Sequence, residues 1–232
     1  MADGPPPPGA QGAPTPAATV VPLRDRQPGL EVLLLRRNSR GAFGGMWVFP
    51  GGQVDDDDSD GDRDELAGAR RAAVREAKEE AGLQLEEGGL VALSFWLPPP
   101  EAPRRFATWF FLASAPTSGD VEVDRAEIRE HRWMTPAAGM EAHNAGEIEL
   151  APPTFTTLWW LAQQESVALA LEAAGSRPPE RFQTHIASAS GRGLLATLWE
   201  GDAGYDDCDF DRPGPRRRLV MDPGRWRVEI GL

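Results

Sequence analysis

The 232 residues read as an α/β protein. Three observations predict this class. Apolar runs of strand length alternate with helical stretches. An amphipathic stretch, 64–81, lies between two such runs, with a cap residue at its start and a glycine after it. No internal repeat points to a solenoid or an array.

Taken in order, 19–23 and 30–35 are two apolar strands joined by the polar turn Arg24-Asp25-Arg26-Gln27-Pro28-Gly29. The glycine-containing loop 38–45 leads to the short strand Met46-Trp47-Val48-Phe49, which Pro50 halts. Residues 55–62 are acidic and lack apolar periodicity, so a flexible solvated insertion is expected there, and not a set of ligands. The helix follows, with Asp64 as N-cap and Gly82 as its stop. Its core side carries Leu66, Ala69, Ala73, Val74, Ala77 and Ala81.

Strands are expected at 90–97, with Phe95 and Trp96, and at 105–113, with Trp109, Phe110 and Phe111. A further strand at 127–134 follows the acidic turn 120–124. One helix is expected over 153–174, broken at Arg177-Pro178-Pro179. Four short strands then close the chain at 181–187, 194–199, 217–221 and 225–230, with Asp222-Pro223-Gly224 as the last turn. The expected organisation is a disordered Pro/Gly/Ala-rich tail over 1–17, a main domain over 18–175 and a β-rich extension over 176–232.

A formal charge of -12 offers no basic face to a nucleic-acid backbone, so nucleic acid is not an expected partner. The one cysteine, Cys208, can form no internal disulfide, which fits a reducing cytosol. No apolar run is long enough to cross a membrane, and the first sixteen residues lack the basic and apolar regions of a secretory signal. A cytoplasmic location is expected. The oligomeric state is left open, a homodimer included.

Chemistry concentrates in Arg75-Glu76-Ala77-Lys78-Glu79-Glu80-Ala81-Gly82-Leu83, preceded by Phe49-Pro50-Gly51-Gly52. On a helix, Glu80 lies about 40° and Glu79 about 60° from Glu76, on opposite sides, so the three share one stripe. Clustered carboxylates repel one another unless a cation lies among them, and all-oxygen ligation suits Mg²⁺ or Mn²⁺. A solvated acidic helix face is the plainer explanation of a charge run. The Gly-Gly turn, the stop at Gly82 and the arginine within the run favour the metal.

These residues resemble the box of the Nudix hydrolase family: Gly, five residues, Glu, seven residues, then Arg-Glu-apolar-x-Glu-Glu-x-Gly-apolar. Residues 75–83 match every fixed position of its second half. Gly52 lies 23 residues before Arg75 where the pattern gives 14, so nine residues are surplus. The first glutamate of the box falls in register on Ala67, with Glu65 or Asp64 as the nearest stand-ins.

The resemblance implies an α/β/α sandwich around a mixed β-sheet, to which the C-terminal strands are extra. It also implies hydrolysis of a diphosphate linked to a nucleoside, with Glu76, Glu79, Glu80 and the carbonyl of Gly52 as metal ligands and Arg75 as a brace. The general base would come from the box itself, Glu79 or Glu80, or from a later loop, where Glu127, Glu130 and His131 are candidates.

Arg36, Arg37, Arg40, Arg104 and Arg105 are candidate phosphate contacts. Phe106 is an aromatic candidate for the base of the nucleotide, as are Phe95, Trp96 and Trp109, although strand aromatics are more often core. Leu97-Pro98-Pro99-Pro100, residues 104–111 and Pro152-Pro153-Thr154-Phe155 are similar to segments of the peroxisomal coenzyme A diphosphatase branch, and so is the strand at 46–49. That likeness implies coenzyme A or an acyl derivative as substrate. ADP-ribose, NADH or a damaged nucleotide is the alternative. A non-catalytic nucleotide-binding regulator of the same fold is a third reading, which the intact glutamate cluster disfavours because binding alone does not need three mutually repelling carboxylates.

Overall fold

The computed structural model describes residues 13–27, 29–38, 43–59, 64–116, 121–124, 126–189, 191 and 193–231. Its centre is β1 (Thr15–Arg26), a valine- and alanine-rich strand buried on both faces over most of its length. β1 runs parallel to β6 (Phe106–Ser114) over nine paired residues and turns tightly into antiparallel β2 (Gly29–Arg37). β3 (Trp47–Val48) and β7 (Ile128–Met134) both pair with β2, and β4 (Gly51–Gln53) pairs with the first half of β1. β5 (Val91–Leu97) is antiparallel to β6, and β8 (Glu180–Gln183) runs parallel to β5, completing an eight-stranded mixed sheet.

Helices cover both faces. Below the sheet, α2 (Glu65–Ala81) lays its alanines against Val20, Leu33, Leu35 and Phe111, preceded by the one-turn helix α1 (Asp56–Ser59). Small side chains at these contacts let helix and sheet approach closely. Above it, Leu34, Trp96 and Phe110 meet Phe155, Leu158 and Leu161 of α4 (Pro152–Leu161) and Ala170 and Ala174 of α5 (Val167–Gly175), with α3 (Pro136–Asn144) packed on α4. This is the expected α/β/α sandwich.

β9 (His185–Ala189), β10 (Leu194–Leu198), β11 (Arg216–Asp222) and β12 (Arg225–Gly231) form a second, antiparallel sheet. One of its faces joins the upper core: Trp199 and Leu219 are buried there, and Trp226 lies 4.3 Å from the His143 ring and 5.6 Å from Phe155. On the other face a buried Arg218–Asp202 pair, 2.5 Å apart, is completed by the Phe210 carbonyl at 2.7 Å.

Several boundaries differ from expectation. β1 starts at Thr15, so 15–17 belong to the sheet and not to a tail; residues 1–12 lie outside the described residues. The helix expected over 153–174 is two helices. Ser166 caps the second one, accepting the Leu169 N–H at 3.3 Å, and Asp25 takes the Val167 N–H at 2.9 Å. α3 was not anticipated. Pro136 occupies its first turn, where a missing N–H costs nothing, and the Thr135 hydroxyl takes the Ala138 N–H. The strand expected over 181–187 divides at Thr184 between the two sheets. No described helix is long and apolar enough to cross a membrane.

Candidate active site

The end of α2 carries Arg75, Glu76, Glu79 and Glu80 beneath Gly51 and Gly52, which lie in strand β4, paired with β1, and not in the turn expected there. Asp64 caps the helix, its carboxylate taking the N–H groups of Leu66 and Ala67, and Gly82 ends it at φ 66°, a left-handed conformation that glycine adopts without strain. Both glycines lie tight against a neighbour, Gly51 against fixed backbone and Gly52 against the movable end of Glu76. A Cβ on Gly52 would lie 2.2 Å from Glu76 Oε1, and one on Gly51 would lie 2.5 Å from the Ala18 carbonyl. Gly51 also donates its N–H to Glu80 Oε2 at 2.9 Å, so β4 and the helix are joined at the cluster itself.

Glu80 is buried, and burial pushes its carboxyl up to about 7 despite the Gly51 N–H and Arg37; Glu76 and Glu127 push the same way as burial. Glu76 is also raised, by burial first, against the pull of Arg75. Glu79 is exposed.

Two guanidinium groups hold the acidic side chains. Arg75 reaches Asp58 at 2.8 Å, Glu76 at 2.8 Å, Glu79 at 3.2 Å and Asp55 at 3.4 Å, and donates to the Gln53 carbonyl at 3.0 Å. Arg37, the last residue of β2, spans Glu80 at 3.3 Å and Glu127 at 2.5 Å. Six carboxylates thus share two cations.

The bracing of Arg75 corrects the sequence reading. Neither stand-in for the first box glutamate performs it: Asp64 caps α2, and Glu65 accepts the Trp109 indole N–H at 3.0 Å. The brace is Asp58, from the stretch expected to be a mobile solvated loop. Residues 56–59 instead form α1, and Asp58 is buried with its oxygens on Arg75 and on the Asp55 N–H at 3.0 Å. Burial raises the Asp58 carboxyl, but the bonds from Arg75 and the Asp55 N–H outweigh it, and the group lies below its ordinary value. The bond to Asp58 is also the largest of the effects that raise Arg75. Residues 60–63 of the insertion lie outside the described residues.

The two loop glutamates separate cleanly. On β2, Leu33 and Leu35 face the α2 side and Leu34 the other, so Arg36 points away from α2 while Arg37 points toward it. Glu130 pairs with Arg36 at 3.4 Å and with Arg132 at 2.6 Å. The hydrogen bond from Arg132 is the main reason its carboxyl is lowered. Glu127 instead joins the cluster through Arg37. Glu130 and His131 line a groove of about 730 Å³ with Val121, Glu122, Val123 and Arg129.

Arg104 and Arg105 stand just before β6. Arg104 is exposed, and Arg105 donates to the Pro98 carbonyl at 3.4 Å. Phe106 lies 6.4 Å from Phe43, which is 46% exposed. These residues make no bond to the α2 carboxylates among the described residues. Arg40 lies outside them.

As the side chains stand, no three acidic, His or Cys groups among the described residues converge on one ligating point, because the two arginines draw the oxygens apart. The donor set nonetheless fits a divalent cation. It is all oxygen, it carries more negative charge than its arginines neutralise, and burial pushes its most enclosed member toward protonation despite the Gly51 N–H and Arg37.

A mixed sheet sandwiched by helices, with an acidic helix end seated against a glycine strand, defines an α/β/α protein with a carboxylate-rich site. The family profile of the NUDIX domain matches residues 13–152, more than half of the chain, and the chain belongs to that family. A relative named "Putative nudix hydrolase 7", from Caenorhabditis elegans, is 26% identical over 233 aligned residues, covering 83% of this chain and 77% of the relative. The crystal structure of a NUDIX hydrolase from Alicyclobacillus acidocaldarius superposes with a TM-score of 0.65 at 23% identity, covering 73% of this chain and all of that one. The protein is a Nudix hydrolase, an enzyme acting on diphosphate bonds, and the family generally uses divalent metal ions.

Proposed function

We propose that this chain cleaves the diphosphate of a nucleoside diphosphate linked to another moiety. Glu76, Glu79, Glu80 and the Gly52 carbonyl would hold Mg²⁺ or Mn²⁺, and Glu127 would serve as general base. The observation that carries the proposal is the surplus of carboxylates over cations around Glu80, buried with a carboxyl raised to about 7. Bound ions would offset the charge of the diphosphate oxygens and acidify the attacking water. Glu127 receives one proton from that water, whose oxygen bonds to phosphorus as the bridging P–O bond breaks, leaving two phosphate monoesters. Arg75 stays braced on Asp58 and keeps Glu76 and Glu79 turned to the same side.

For the substrate we propose coenzyme A or an acyl derivative. The support is the likeness of 97–100, 104–111 and 152–155 to the coenzyme A diphosphatase branch, together with the Phe43–Phe106 ring pair and exposed Arg104 two residues before Phe106 in the chain. That pairing suits an adenine with a neighbouring phosphate. The test is mass spectrometry of products from coenzyme A, dephospho-coenzyme A, ADP-ribose and NADH, with Mg²⁺ and with Mn²⁺. Expected are 3′,5′-ADP and a phosphopantetheine product, and turnover lower by orders of magnitude in Glu79→Gln and Glu80→Gln. Preferred cleavage of ADP-ribose or NADH overturns the substrate. Near-normal turnover in both variants overturns the metal site.

A further inference from the structure

We infer that Arg37 and Asn38 form a latch that positions the Glu127 carboxylate over the α2 cluster; this rests on the reading of Glu127 as the base. The Glu127 side chain is 62% exposed and, among the described residues, its carboxylate bonds to Arg37 alone. An exposed glutamate left to itself samples many rotamers, and a misplacement of about 1 Å can cost roughly 10²-fold in rate.

The structure restrains both halves of this residue. Its backbone is gripped from two sides. The Asn38 N–H donates to the Glu127 carbonyl at 2.6 Å, the Asn38 side-chain amide donates to the Ala126 carbonyl at 2.7 Å, and Asn38 Oδ1 accepts from Arg129 Nε at 2.7 Å. From within the loop, the Asp124 carboxylate takes the N–H groups of Glu127 at 3.1 Å and Ile128 at 3.0 Å.

The side chain is aimed by Arg37, whose Nη2 meets Glu127 Oε2 at 2.5 Å while Nη1 meets Glu80 Oε1 at 3.3 Å. One guanidinium therefore ties a loop carboxylate to a helix carboxylate. The planar fork makes this possible, since a lysine is a single point of charge. A register shift in the β2–β7 pairing falls between Arg36, opposite Glu130, and Arg37, opposite Ile128; it passes over Arg129 and brings the loop at Glu127 beside Arg37 and Asn38.

The test is a double-mutant cycle on the full chain with Arg37→Ala and Glu127→Gln, read as kcat and KM separately, with Arg37→Lys and Asn38→Ala beside it. Arg37→Ala should lower kcat by up to roughly 10²-fold with KM little changed, and Arg37→Lys should restore part of the loss. In the Glu127→Gln background Arg37→Ala should add almost nothing, because the group it aims is gone. Mn²⁺ binding, followed by electron paramagnetic resonance, should persist in Arg37→Ala. Asn38→Ala should speed amide exchange at Glu127 and Ile128 in the metal-free protein.

Losses that multiply, or a rise confined to KM, would overturn the latch and make Arg37 a direct phosphate contact. An intact kcat in Glu127→Gln would instead overturn the base reading. A damaging Glu127→Gln beside a harmless Arg37→Ala would overturn the latch alone. Should Arg37→Ala fail to fold, Arg37→Gln carries the same cycle.

Discussion

Replacing Asp58 with Asn should destabilise the protein and weaken its hold on divalent metal together. The carboxylate is 6% exposed and accepts from Arg75 at 2.8 and 3.3 Å and from the Asp55 N–H at 3.0 Å. The amide keeps one acceptor but turns an NH₂ group toward donors, and it removes the charge. A bond to a charged partner contributes about 1.5 to 3 kcal/mol. Arg75 is 28% exposed and retains Gln53, Glu76 and Glu79, so the net loss should be about 2 to 3 kcal/mol, short of that for a fully buried pair. For a chain of this length that is a fall in Tm of roughly 4 to 12 °C. Freed on one side, Arg75 should settle more fully on Glu76 and Glu79 and compete with the ion. Urea unfolding gives the first quantity and Mn²⁺ titration the second, with Asp57→Asn, at an exposed neighbour, as the control expected to stay within about 0.5 kcal/mol. If Asp58→Asn matched the control in both assays, the brace would be an incidental contact and the reasoning would fail.

Gly52→Ala should abolish tight divalent binding, because its methyl would lie 2.2 Å from Glu76 Oε1 and force that carboxylate away. Because the displaced group is the movable end of a side chain, stability should change little, and unchanged Mn²⁺ affinity in a folded variant would refute the cradle. Glu80 gives a pH signature. Its folded carboxyl near 7 lies above the usual 4.5, so the native state holds the extra proton. The resulting stability, about 3 kcal/mol, is fully present below 4.5 and is lost as pH rises through 7. Unfolding of the metal-free protein across that interval should show the decline, Glu80→Gln should flatten it, and divalent affinity should rise as the competing proton leaves. A decline unchanged in Glu80→Gln would assign it to another group.

What the sequence revealed was what local patterns encode. The cap at Asp64, the stop at Gly82 and the stripe of Glu76, Glu79 and Glu80 between them all follow from helical periodicity, and the helix lies where expected. The acidic insertion misled because composition does not register pairing. Of Asp55, Asp56, Asp57 and Asp58 only the last is buried beneath Arg75, Asp55 reaching it from an exposed position, and the choice depends on a single helical turn that starts three residues after β4. The nine-residue surplus was visible, but not that it carries its own replacement for the missing glutamate. Arg37 was among the candidate phosphate contacts; its bridging of Glu80 and Glu127 depends on a register shift in a long-range strand pair, which no local window contains. Glu127 and Glu130 are indistinguishable by residue type, and only the alternation of β2 sets them on different sides of the sheet.

The placement of β1 has a consequence for how the chain reaches this structure. The strand precedes every other strand of its sheet in the chain and sits in the middle of the sheet, yet its nine-residue parallel partner begins at Phe106, about ninety residues later. At ribosomal rates of about 5 to 20 residues per second, that edge of β1 waits roughly 5 to 20 s for its partner to be made. During this interval Val20, Val21 and Leu23 belong to an apolar strand with one open side, available to any extended segment nearby. The hairpin to β2 and the short clasp of β4 can form at once, but they cover the opposite edge and leave the β6 side open. Growth of the β1–β6 ladder is the nonlocal step, so destabilising β6 should slow folding and favour aggregation during synthesis more than an equal loss of stability in the C-terminal sheet.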